Sequence, residues 1–226
     1  MAPAEATREI AQRHEKGSPM EDMAQAIRSC RLCAERFAQT ATAHAPRPVL
    51  WDGARARLLI AGQAPGMRVH LSGQPFTDPS GDRLRDWLGI RPEVFYDRSR
   101  IAILPMAFCF PGLDVRGADL PPPPLCARTW RAPLLAQHRK LRLVLAIGAP
   151  AIRWHLQDRR PVTEVVADWR RLSQQGIFPL PHPSWRNTGW LKRNPWFATD
   201  LLPDLRAAVR AALTPDVLTP DPESPQ

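Results

Sequence analysis

The chain has 226 residues, with 31 Lys+Arg against 22 Asp+Glu and a formal net charge of +9 at pH 7. A chain of this length buries roughly 70% of its unfolded surface, so it needs neither a disulfide nor a metal merely to fold. Its 44% hydrophobic and 23% charged residues exclude a disordered protein. A run of about 18 apolar residues, which a transmembrane helix requires, does not occur. The N-terminus also lacks the apolar stretch of a secretory signal, so a cytoplasmic protein is expected; a monomer is the expected state.

The basic surplus is almost all arginine, the only lysines being Lys16, Lys140 and Lys192. Guanidinium groups suit bidentate phosphate contacts, which makes nucleic acid a candidate partner. A solvated, arginine-rich surface accounts for the same composition.

Residues 1–40 read as helical, with a break and a new helix start at Gly17-Ser18-Pro19. Ala45-Pro46-Arg47-Pro48 reads as a loop. Four short apolar runs follow, Arg57–Gly62, Ile101–Phe108, Leu141–Gly148 and Gly176–Pro181, each too short for a helix and read as a strand. Helical spacing occupies Ser80–Gly89, Cys126–Arg139, Ala149–Leu156 and Val162–Gln174. A last helix is predicted over Pro195–Leu213, with Pro195 in its first turn. Strands alternating with helices imply an α/β domain built on a mainly parallel sheet. The tail from Thr214 is proline-rich and aperiodic and is expected to be disordered. The chain therefore divides into an N-terminal helical extension (1–24), one domain (25–213) and a tail (214–226).

Ligands of open parallel sheets bind beyond the carboxyl ends of the strands. Gly62-Gln63-Ala64-Pro65-Gly66 follows the first run, Cys109 the second, Gly148-Ala149-Pro150 the third and His182-Pro183-Ser184 the fourth. The four cysteines form a C-x2-C pair, Cys30 and Cys33, and a late pair, Cys109 and Cys126. Disulfides are disfavoured in a cytosolic chain. Four thiolates suit a tetrahedral zinc or a [4Fe–4S] cluster, which spacing does not separate. Inert buried cysteines beside a chance C-x2-C are the plainer alternative.

Three features together resemble the uracil-DNA glycosylase superfamily, most of all its iron–sulfur branch, families 4 and 5, over roughly residues 25–210. They are the Gly62–Gly66 loop followed by Gly73-Gln74-Pro75-Phe76-Thr77-Asp78-Pro79-Ser80-Gly81, the cysteine arrangement, and His182-Pro183-Ser184 after the last strand. The resemblance implies a three-layer αβα sandwich around a central four-stranded, mainly parallel sheet. It implies a [4Fe–4S] cluster on Cys30, Cys33, Cys109 and Cys126. It also implies hydrolysis of the N-glycosidic bond of a deaminated base, uracil first, in DNA during base-excision repair, by a monofunctional enzyme without a catalytic lysine.

The same resemblance assigns roles. His182 donates a hydrogen bond to the departing base as charge builds there. Phe76 stacks under the flipped base. Gln63, with Ala64, Pro65 and Gly66, borders the base or the attacking water. Family 1 carries an acid where this chain has Ala64, and family 4 a glutamate where it has Gln63. Asp78 is the nearest substitute, resembling an aspartate of family 5, with Asp82 second; Asp78 reads equally well as a helix N-cap. The recognition asparagine of family 4 falls at Pro105, which leaves backbone groups of Met106 or Ala107 to read the base. Xanthine and hypoxanthine are then alternative substrates.

Beyond His182, Ser184 and Asn187 are candidates for the base, and Trp185, Arg186, Lys192 and Arg193 for DNA. The cations would contact phosphates, and Trp185, Trp190 or Leu191 would wedge or stack. Tryptophans packed on the body beneath snorkelling arginines are the alternative. The absent acids at 63 and 64 also permit a non-catalytic binder of damaged or abasic DNA on the same fold, which turnover would distinguish. An iron–sulfur electron carrier is a third class, with no partner motif behind it.

Overall fold

The structure is a computed structural model that describes residues 19–214. Within them, β1 (Leu58–Ala61), β2 (Ile101–Ile103), β3 (Leu143–Ile147) and β4 (Ile177–Leu180) form one sheet in the order β2-β1-β3-β4, every neighbouring pair parallel. Leu58 of β1 pairs with Ile101 on one side and Leu143 on the other. Both faces of a parallel sheet are covered, which is why the strands read as unbroken Ile, Leu, Val and Ala rather than as alternation. All residues of β1 and β2 are buried. The C-terminal helix Leu202–Leu213 packs on β1, β3 and helix Pro79–Leu88, while helix Gly148–Leu156 packs on β3, β4 and helix Val162–Ala167. The architecture is the expected αβα sandwich, with its four-stranded sheet wholly parallel.

The chain leaves β1 for β2 on one side and later returns to β3 on the other. The loops after β1 and β3 therefore diverge, which opens a crevice at the switch point. Gly148 starts the turn after β3 with φ +77, and a Cβ there would lie 2.5 Å from Nε2 of Gln63 in the loop after β1.

The strands end where the apolar runs predict, except β2, which stops at Ile103 rather than continuing to Phe108. Leu104 still donates its N–H to the Ile60 carbonyl, but Pro105 has none to give and the chain peels away. Asp168 divides the helix predicted over Val162–Gln174 into Val162–Ala167 and Trp169–Ser173. Its carboxylate is held by Arg160 and Arg171 at the break. The last helix starts at Leu202, after a wide π turn over Phe197–Leu201. Pro203, lacking an N–H, cannot close a regular α turn back on that segment. Helix Pro19–Arg28 straddles the boundary drawn at residue 24, and its Ala24 and Ile27 belong to the same core as the sheet. Residues 1–18 and the tail beyond Thr214 lie outside the described residues. No helix among the described residues is long and apolar enough to cross a membrane.

One buried cation ties a helix to the end of β2. Arg131, on helix Pro124–Leu135, is 2% exposed. Its Nη1 donates to the carbonyls of Leu104 (2.8 Å) and Pro105 (3.1 Å), and its Nη2 donates to Nε2 of His155 at 2.6 Å. Burial lowers Arg131 to about 9, and burial together with the Arg131 charge lowers His155 to about 3. His155 is thus neutral in the fold and takes a proton only once unfolded, so stability is intact above the ordinary histidine range and falls as pH drops towards 3. Between pH 7.5 and 5 the wild-type protein should lose about 2 kcal/mol more unfolding free energy than His155→Gln. Urea unfolding at the two pH values measures this, and equal losses in the two proteins would refute it.

Candidate functional site

A cavity of about 160 Å3 opens beyond the carboxyl ends of the strands. It is smaller than the roughly 300–1,000 Å3 of drug-sized sites, so it suits one small ring rather than an extended ligand. Gln63, Ala64, Pro65, Gly66, Phe76, Asp78 and His182 all line it, His182 arriving from more than a hundred residues beyond the rest. Pro105 and Asp119 also line it.

His182 is the polar group best defined by its neighbours. The Ser184 N–H donates to its Nδ1 at 3.2 Å, so the neutral ring carries its proton on Nε2. Burial lowers its pKa, while the charges of Asp78 and Asp119 raise it and that of Arg186 lowers it. Asn187 Nδ2 donates to the His182 carbonyl at 2.7 Å, and Arg83 Nη1 donates to the Ser184 carbonyl at 2.8 Å. Ser184 and Asn187 therefore hold the histidine and are not part of the cavity lining.

Phe76 has φ +56, a left-handed backbone that costs a non-glycine residue on the order of 1–3 kcal/mol. The surroundings hold it there. The Tyr96 hydroxyl lies 3.0 Å from the carbonyls of both Pro75 and Phe76, and Arg85 Nη1 donates to the Phe76 carbonyl at 3.2 Å. The Phe76 ring meets Phe95 edge-on at 5.9 Å. Asp78 caps helix Pro79–Leu88, its Oδ1 accepting from Ser80 Oγ (2.5 Å) and the Gly81 N–H (3.2 Å), so its expected capping role is observed together with its place in the cavity. Asp82 pairs instead with Arg85.

Of the Met106 and Ala107 backbone groups expected to read a base edge, the N–H donors are already taken. Their N–H groups are spent on the carbonyls of Gly62 (2.9 Å) and Gln63 (3.0 Å), and the Met106 side chain lies in the core. These bonds replace the sheet ladder that Pro105 interrupts.

Beyond the cavity, Trp185 is 74% exposed, with the Arg186 guanidinium 5.8 Å from its ring. Lys192 and Arg193 are exposed on helix Thr188–Arg193. Trp190 is a packing residue rather than a wedge. Its Nε1 donates to Thr163 Oγ1 at 2.7 Å, and its ring meets Trp196 and Phe197 edge-on. Leu191 also packs against the core.

The four cysteines, all free thiols, line a second, apolar cavity with Ile27, Phe37, Phe108 and Trp130. Burial, reinforced by the charges of the other three thiols, pushes Cys109 up to about 12. Burial likewise pushes Cys126 up to about 11, against the Phe108 N–H that donates to its Sγ at 3.4 Å. As thiols these two are inert, and only a bound metal would deprotonate them. Among the described residues, no three His, Cys, Asp or Glu side chains stand close enough to hold a single metal ion. The four sulfurs ring a cavity instead.

Sequence reasoning missed Asp119, Tyr96, Arg85 and Arg83. Asp119 follows a turn rather than a strand end, and the other three act on the site through its backbone carbonyls.

Gly81 is what lets the capped helix touch the Phe76 loop. A Cβ there would lie 1.9 Å from the Phe76 carbonyl oxygen and 2.6 Å from its carbon. Gly81→Ala should cost about 1–3 kcal/mol as overpacking against backbone. An unchanged urea midpoint would show that the loop moves aside freely.

A family model described as the Uracil DNA glycosylase superfamily matches residues 51–206, a span that holds all four strands, the cavity loops and His182, and the chain belongs to that superfamily.

Proposed function

We propose that the protein is a monofunctional DNA glycosylase that takes a deaminated base, uracil first, into the 160 Å3 cavity and hydrolyses its N-glycosidic bond. The observation that carries this reading is a neutral His182, its Nδ1 occupied by the Ser184 N–H and its Nε2–H left as the donor, in one cavity with Phe76. A base within a duplex is out of reach of such a cavity and must be flipped out. Breaking the bond puts negative charge on the base and positive charge on the sugar. A fixed neutral donor stabilises the first without protonating the base beforehand, and needs no reorganisation during reaction.

Phe76 supplies the stacking face, and its strained backbone holds the ring in place. Gln63 borders the base from the β1 loop, its amide against Gly148. Asp78 adds negative charge beside the sugar through the oxygen its cap leaves unused. Pro105 offers no donor to the base edge, so selection rests on cavity shape and on His182 rather than on an asparagine. Arg186, Lys192 and Arg193 hold phosphates, and Trp185 stacks against the distorted strand.

The missing acids at positions 63 and 64 favour one second reading, a binder of damaged or abasic DNA that does not turn over. A multiple-turnover assay separates the two, with oligonucleotides carrying uracil, xanthine or hypoxanthine and alkali to reveal abasic sites. We expect abasic product in excess of protein on one of them and a loss of at least about 10²-fold in His182→Ala, by comparison with removal of one oxyanion donor. Binding without product would leave the second reading.

We also propose that Cys30, Cys33, Cys109 and Cys126 hold a [4Fe–4S] cluster. The convergence of all four cysteines on one apolar cavity supports this, as do the N–H donor at Cys126 and thiols that burial leaves inert until metallated. When bound, it would supply a cross-link between the N-terminal turn, the loop after β2 and helix Pro124–Leu135, and no step of hydrolysis passes through it. Iron and acid-labile sulfide in purified protein, both lost in Cys109→Ser with a lowered melting temperature, are the expected result. Metal-free protein of unchanged stability would return the cysteines to packing.

A further inference from the structure

We propose that Asp119 is the carboxylate that faces the anomeric carbon of the flipped nucleotide and activates the attacking water, in place of the acids absent at positions 63 and 64. The inference rests on the glycosylase reading above and adds a catalytic residue to it.

Two carboxylates line the cavity, Asp78 and Asp119. They differ in what else they do. Asp78 is half-buried and binds the helix N-terminus, with Oδ1 taken by Ser80 and the Gly81 N–H. The Asp119 carboxylate has no hydrogen bond or ion pair with any other described residue, and it stands exposed at the cavity rim. That is where the sugar must be. The base enters the depth between Phe76 and Pro105, while the sugar stays joined to the strand outside, so C1′ sits at the mouth. Both aspartates lie near enough to His182 for their charges to raise its pKa.

The loop that presents Asp119 is built rather than loose. Leu113 and Asp119 form an antiparallel bridge, and the Leu120 N–H donates to the Gly112 carbonyl at 2.9 Å. Asp114 closes the tip, its Oδ1 accepting from the N–H groups of Arg116 (2.8 Å) and Ala118 (2.9 Å). At the base of the loop Gly112, with φ +95, sits against Thr40, where a Cβ would come within 2.7 Å of the side chain. The tip between the bridged residues is thus organised about one aspartate, Asp114, and delivers the other to the rim. Seating DNA over the rim removes water from Asp119 and strengthens its attraction for a positive sugar.

The chemistry balances with one water. The C1′–N bond breaks and its electron pair leaves on the base, which Nε2–H of His182 stabilises. The water oxygen bonds to C1′ and one of its protons passes to the Asp119 carboxylate. Asp119 then gives that proton to solvent and the departed base takes one from solvent.

The experiment uses full-length protein in two measurements. The first is single-turnover excision from the oligonucleotide that the wild type cleaves. The second is binding of DNA carrying a cationic pyrrolidine abasic analogue against its neutral tetrahydrofuran counterpart, which needs no turnover. We expect Asp119→Asn to unfold at the wild-type midpoint, to excise about 10²-fold or more slowly, and to lose the wild-type preference for the cationic analogue, with Asp119→Glu restoring part of both. If the wild type excises and Asp119→Asn keeps both rate and preference, the inference falls and the glycosylase reading survives. If the wild type excises nothing yet prefers the cation, and Asp119→Asn abolishes that preference, the glycosylase reading and the water-activating role both fall, and only the placing of Asp119 at the anomeric position stands. No excision and no preference would overturn both.

Discussion

Four parallel strands of only three to five residues each end together along one narrow rim, and the rest of the molecule depends on that constraint. Strands this short leave no room to stagger, so each one delivers its following loop to the same edge of the sheet. The reversal of strand order between β2 and β3 then parts those loops into a crevice. Residues 63, 76, 105 and 182 share a cavity for this reason and not because of any direct link between them. The interruption at Pro105 serves the same end. It stops β2 early, turns the next N–H groups onto Gly62 and Gln63, and leaves no backbone N–H donor at residue 105 of the cavity wall.

Strain and support are paired around Phe76. Its left-handed backbone would relax in a free loop. Here two side chains, Arg85 from helix Pro79–Leu88 and Tyr96 from the turn after Phe95, hold its carbonyl, and the bare Cα of Gly81 allows the contact. The stacking role proposed for Phe76 requires a rigid ring to distinguish one base from another by shape, and rigidity at this position is bought with unfavourable backbone geometry. His182 is treated alike, with Ser184, Asn187 and Arg83 fixing its ring and backbone. Residues that sequence assigned to the base thus serve the histidine.

The electrostatics run against the overall charge. A chain of +9 places two aspartates at its cavity and leaves arginine and lysine on the segment after His182. Cations outside suit phosphates, and anions at the mouth suit a sugar that becomes positive. The buried Arg131 has a different task, since its partners are two carbonyls and a neutral imidazole. It secures the end of β2 from the helix that also carries Cys126, so the wall at Pro105 and the cysteine cavity share one support.

The sequence alone determined the sheet, the loop after each strand and the superfamily. Unbroken apolar runs, proline and glycine punctuation and short motifs are local signals, and burial on both faces admits few alternatives to a parallel strand. It also marked Asp78 as a cap, because that role spans only three residues. What it left undecided depends on contacts between distant segments. Whether Trp190 or Trp185 faces solvent, whether Asn187 turns to the base or to the backbone, and whether the Met106 N–H is free are settled by which neighbour arrives first once the chain is packed. Asp119 carries no local mark at all. It reaches the cavity because a turned loop between two cysteines folds back over the rim, and only tertiary structure brings such a loop opposite His182.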